Sequence, residues 1–281
     1  MTTPATLMVR LAAGVPNDAL LLLAADLTHR LKARRVIGIS ACQPVQIYGS
    51  PEAYVPPEFI NWDRERIDRQ LRAAEVSFRA ALEGKGATVD WRSTVLTYGT
   101  IADYVAAEMR AADLLIAAAE EAGAVFDRSR HLDVADVAPI VGRPILVAGS
   151  GVDRIDLRSV VVTWKDAREA RRAAEDALPL LKLADRVTVV EVAADENLAH
   201  ARIRTEDVAG WLASHGVTAS ALAIEGTKDD AAVLREAATK LGAGLLVGGA
   251  YGHTRLREWV VGGVTRDLLL RPIGCCSLVS H

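Results

Sequence analysis

The sequence predicts an α/β protein built from two doubly wound, five-stranded parallel sheets in tandem. Three observations carry this. Short apolar runs alternate with longer amphipathic stretches along all 281 residues, the pattern of repeated strand–helix–strand units. Runs such as SVVV and GLLVG are near-continuous, as strands covered on both faces must be. The pattern also restarts. DLLIAAA from Asp113 matches GLLVGGA from Gly244, and an Arg-Pro step precedes the last strand of each half, at Arg143-Pro144 and Arg271-Pro272.

In the first half, strands are expected in ATLMVRL, RVIGISA, TVDWRSTVL, DLLIAAA and PILVAG. Helices are expected over 17–33, 58–84 and 100–112, with a short one near Val134. After Gly149-Ser150-Gly151 the second half offers the strands RSVVVTW, RVTVVEV, VTASALAIE, GLLVGGA and CCSLVS. Its helices are expected over 167–182, 205–215, 229–241 and 255–270. Right-handed crossovers turn each set into an open sheet with helices on both faces. The repeat divides the chain into domains at 1–150 and 151–281. Only the first half carries a proline- and tyrosine-rich insertion, residues 43–59, read as a surface loop before the long helix.

Composition removes several functional classes. With 51% hydrophobic and 25% charged residues, the chain reads as soluble and globular. A net charge of -3 gives no electrostatic footing for nucleic acid or an anionic membrane. At 5% aromatic, stacking platforms for single strands are scarce. No apolar run is long enough to span a bilayer and the start lacks signal-peptide character, so a cytoplasmic location is expected. Cys42, Cys275 and Cys276 are an odd set without CxxC spacing, read as buried structural thiols in a reducing compartment.

In an open α/β sheet the ligand crevice lies beyond the carboxyl ends of the strands, where the strand order reverses. After the first strand of the second half stands Trp164-Lys165-Asp166, and after its fourth stands GAYGHTRLREWVVGGVT, from Gly249 to Thr265. The chain has no GxxxxGK[ST] loop, no GxSxG elbow and no HExxH, and its six histidines are scattered. No catalytic residue and no metal site is assigned. In the glycine stretch, Gly249 and Gly252 allow a sharp turn, and Gly262-Gly263 open a helix whose free N–H groups suit a phosphate. Spacing alone does not separate this from glycines kept for tight turns and close helix packing.

This stretch closely resembles the nucleotide-binding signature of the universal stress protein family, G-x-x-G-x9-G-[ST]. The likeness extends over the whole second half and more faintly over the first, so the chain is similar to a tandem universal stress protein. The resemblance implies ATP or a related adenine nucleotide, with Mg²⁺ for any slow hydrolysis, bound in the C-terminal domain. Asp166 would hold the adenine–ribose end, with Trp164 and Lys165 beside it and Val192 against the base. Gly249, Tyr251, Gly252, Gly262, Gly263, Val264 and Thr265 would line the ribose and phosphates. Gly263 stands where the signature has Ser or Thr, which removes one donor to phosphate, a bond worth about 1.5–3 kcal/mol. Thr265, Lys165, Arg255 and Arg257 are the side chains that would compensate.

The first half departs further. DLLIAAA is followed by Glu120-Glu121, and no aspartate follows ATLMVRL. Carboxylates repel phosphate, so the first half is expected to have lost the nucleotide. The resemblance also implies that PILVAGS and CCSLVS pair within one molecule as a pseudo-dimer near Cys275 and Cys276, with further homodimerisation left open. The alternative function is a non-nucleotide interaction module of the same fold.

Overall fold

The computed structural model describes residues 4–45, 56–119, 129–250 and 268–281. The first half runs β1 (Thr6–Arg10), α1 (Asp18–Arg30), β2 (Arg35–Cys42), α2 (Pro57–Leu82) and β3 (Thr88–Val95). It continues with α3 (Ile101–Glu108), β4 (Leu114–Ala118), α4 (Val134–Val137) and β5 (Ile145–Ala148). The second half runs β6 (Val160–Thr163), α5 (Arg168–Leu181), β7 (Val187–Ala193), α6 (Leu198–Ser214) and β8 (Ala219–Glu225). It ends with α7 (Asp230–Lys240), β9 (Leu245–Gly249) and β10 (Cys276–Ser280). All ten expected strands form.

The strands make one sheet in the order β3-β2-β1-β4-β5-β10-β9-β6-β7-β8. Each half is parallel within itself and repeats the same order, mirrored across the middle. The two halves meet where β5 and β10 pair antiparallel, from Ile145 opposite Val279 to Ala148 opposite Cys276. The expected pairing of the two last strands therefore joins both sheets into one. Because the central pair is antiparallel, the carboxyl edges of the two halves lie on opposite sides of the molecule. At the junction Gly149 donates its N–H to Cys275 O at 3.0 Å. A Cβ there would stand 2.5 Å from that same carbonyl oxygen, so only glycine fits. Burial holds the thiols protonated, raising Cys275 to about 11 and Cys276 to about 12, in keeping with a packing role.

Alternation along the strands sorts the core into two layers. Leu7, Val9, Val160, Val162, Leu245 and Leu278 face α1, α2, α5 and α6. Met8, Ile37, Val161, Leu246 and Val279 face α3, α4 and α7, and Leu268–Leu270 pack on that same side. Both faces are covered, which is why the strands read as unbroken apolar runs. At the starts of α3, α4 and α7 a side chain accepts a free N–H group of the first turn. Thr100 and Asp103 form a reciprocal capping box on α3, and Asp229 caps α7 at Ala232 N.

One element differs from expectation. α6 begins at Leu198, seven residues before the helix expected from Thr205, behind a single turn over Asp195–Asn197. Its buried positions are Ala201, Thr205, Ala209 and Leu212. Three of the four are small or polar, so the inward stripe carries little hydrophobic signal. The helix expected over 255–270 lies outside the described residues up to 267, as does most of the 43–59 insertion, 46–55.

Candidate functional site

In the second half the strand order reverses between β6 and β9, paired from Val160 opposite Leu245 to Val162 opposite Val247. This switch point is where the fold places a crevice. At its floor Thr163 donates its hydroxyl to Val247 O at 3.0 Å, bridging the two strands. Beyond β6, Trp164 N still bonds Val190 O at 2.7 Å, and Ala167 N closes a tight turn on Lys165 O at 2.6 Å. That turn exposes Lys165 and Asp166 side by side at the carboxyl edge. Asp166 is not free there: its Oδ1 accepts from Arg171 Nη1 at 2.6 Å.

The expected adenine residues divide between the two faces. Val162 pairs with Val189, so Trp164 shares a face with Val189 and Glu191, while Val192 takes the other. Trp164 packs against the α5–α6 layer, and its buried Nε1 has no acceptor among the described residues. Val192 packs in the α7 layer, its Cγ1 3.2 Å from where a Cβ on Gly226 would stand. The structure therefore brings Trp164 and Asp166 together and sets Val192 across the sheet from them.

Trp164 and Asp166 open onto a cleft of about 520 Å³ between α5 and α6, walled by Arg171, Ala174, Val208 and Trp211. Arg204, also at this cleft, forks onto both carboxylate oxygens of buried Glu191. That pairing raises the guanidinium pKa. Sequence reading missed Arg171 and Arg204. No local spacing marks them: Arg171 pairs with Asp166 in the turn before α5, and Arg204 on α6 pairs with Glu191 on β7, thirteen residues away.

Gly249, the last residue of β9, has no room for a side chain. A Cβ would stand 2.5 Å from Glu169 C and 2.7 Å from Ala170 N, the backbone of the first turn of α5. Gly248 is closed on the other face, where a Cβ would meet Thr163 Oγ1 at 2.4 Å and Leu269 Cδ1 at 2.6 Å. Close packing therefore accounts for both glycines. Tyr251, Gly252, Gly262, Gly263, Val264 and Thr265 lie outside the described residues, as do Arg255 and Arg257. Among the described residues no group of three or more His, Cys, Asp or Glu could hold a metal ion, and no helix is long and apolar enough to cross a membrane.

Comparison with solved structures places this architecture. The chain superposes on a universal stress protein from Archaeoglobus fulgidus with a TM-score of 0.68 at 13% identity, covering 99% of this chain and 96% of that one. A candidate universal stress protein from Pseudomonas aeruginosa matches at 0.64 and 14% identity, covering 99% and 94%. A functionally unknown protein from the same species matches at 0.61 and 13% identity, covering 99% and 93%. No family model matches the chain, and no curated protein does. At these identities the likeness is one of fold. The chain has the universal stress protein fold along its whole length, its strand order repeated in the two halves.

Proposed function

We propose that the chain is a tandem universal stress protein that binds ATP or a related adenine nucleotide in its second half, residues 151–281. The observation that carries this reading is the glycine signature beginning at Gly249, the carboxyl end of β9, beside β6 at the switch point. A turn and a helix start placed there offer backbone N–H groups to phosphate without needing a particular side chain. Lys165 and Asp166, exposed at the neighbouring edge, are the described side chains best placed to meet a nucleotide. Lys165 supplies a positive charge and Asp166 an acceptor for a ribose hydroxyl or base amine. The nucleotide brings the triphosphate, and Mg²⁺ would neutralise it. Hydrolysis is at most slow, since no general base is assigned. The first half, residues 1–150, acts as the structural partner through β5 and β10.

A second reading has its own support. Gly248 and Gly249 are each explained by packing against Leu269 and α5, as a non-nucleotide interaction module of the same fold would require. Retained nucleotide separates the two. Protein purified without added nucleotide, then denatured and analysed by absorbance and mass spectrometry, is expected to release an adenine nucleotide at less than one equivalent, in line with the missing hydroxyl at Gly263. No nucleotide, together with no binding of added ATP, would leave the interaction module.

A further inference from the structure

The carboxyl edge of the first half holds more positive charge than its described residues neutralise. Arg10, the last residue of β1, is only 4% exposed. It stands beside the β1–β4 switch point, opposite Ala117, where Thr163 stands in the second half. Its Nη2 donates to Arg130 O at 2.9 Å and to Ala41 O at 3.4 Å. Its Nε and Nη1 are buried without an acceptor among the described residues. Arg130 is 6% exposed and donates from Nη1 to Gln43 O and Ser129 O. Its Nη2 has no hydrogen-bond acceptor among the described residues and lies 3.7 Å from Asp63 Oδ1. That oxygen already accepts from Arg66 Nη2 at 2.8 Å, and Asp63 Oδ2 accepts from Val45 N. Among the described residues, Arg66 and Arg130 thus share the carboxylate of Asp63, and Arg10 meets only backbone carbonyls.

A buried charge left uncompensated is among the costliest arrangements a fold can hold. Neutralisation is closed to Arg10: burial lowers its pKa only to about 10, so it stays protonated at neutral pH. The donors left over belong to two guanidinium groups that reach the same end of β2, Arg10 at Ala41 O and Arg130 at Gln43 O. A doubly charged tetrahedral oxyanion matches both the excess charge and the spare N–H groups. A switch point is also where the open sheet offers access to a ligand.

We propose that the first half binds a phosphate-type oxyanion between Arg10 and Arg130, a site separate from the glycine signature of the second half. The full chain titrated with inorganic phosphate at constant ionic strength, with chloride as control, is expected to bind one equivalent and to melt at higher temperature. Arg10→Met and Arg130→Met are each expected to weaken that binding about tenfold or more, the value of a charge-assisted bond. Should either methionine variant fail to fold, Arg10→Lys keeps the charge but loses the donor fork, and is expected to fold and bind more weakly. Gly252→Val, in the second half, is expected to leave phosphate binding intact. Competition by AMP that Arg10→Met abolishes would show that the anion arrives as part of a nucleotide. The proposal is overturned by the absence of saturable phosphate binding, or by binding that Arg10→Met leaves unchanged. It is equally overturned if Glu120→Gln/Glu121→Gln destabilises a chain that shows no phosphate response, since the chain then supplies its own counter-charge.

Discussion

Replacing Asp63 by alanine is expected to cost the folded chain about 3–5 kcal/mol, the loss found when one partner of a buried ion pair is removed. Its carboxylate is 6% exposed and is the one acidic group among the described residues that faces both Arg66 and Arg130. Removing it leaves Arg130 buried and unpaired and strips Val45 N of its acceptor. Asp63→Asn keeps an acceptor for Val45 and loses the charge, so its loss should fall between alanine and wild type. The measurement is urea unfolding, where a lower midpoint at unchanged slope reports stability alone. A loss below about 1 kcal/mol for Asp63→Ala would mean that the Arg130 charge is already compensated from elsewhere.

The second large effect is expected at Gly249. A valine there places its Cβ against Glu169 and Ala170, and these are backbone atoms of a helix that cannot rotate away. Overpacking of this kind costs about 1–3 kcal/mol, and contact with backbone puts Gly249→Val at the upper end. Because Gly249 also opens the glycine signature, the displaced α5 should weaken nucleotide binding in the same variant. Gly216→Ala is the control. It sits at a positive φ of 82 with no atom near its Cβ position, so it should cost about 1 kcal/mol of strain and leave binding alone. If Gly249→Val is as stable as wild type, α5 does not rest on β9 as described.

The fold was legible because a parallel sheet buried on both sides forces apolar strands, and LMV, VVV and LLV announce themselves without a partner. Helices with large inward side chains were legible for the same reason. α6 was cut short because Ala201 and Thr205 bury a face without looking hydrophobic. The site was legible only in part. Strand alternation alone already sets Val192 on the face opposite Trp164, once Val162 is known to pair with Val189. That register is a tertiary fact, absent from either strand by itself. Arg10 left a trace, a lone charge ending the apolar run TLMVR, but Arg130 and Asp63 join it from positions 120 and 53 residues away, beyond any local pattern. Gly249 shows the reverse case. Its spacing suggested a phosphate turn, and its surroundings give it a packing duty that the spacing could not reveal.

We expect the second half, and only the second half, to take an adenine nucleotide. Calorimetric titration of ATP with Mg²⁺ into the full chain tests it most directly. One equivalent is expected, abolished by Gly252→Val, unaffected by Arg10→Met, and tightened about tenfold by Gly263→Ser, which restores one charge-assisted donor. No binding by either the wild type or Gly263→Ser, or binding that Gly252→Val leaves intact, would rule out a nucleotide site at the glycine signature.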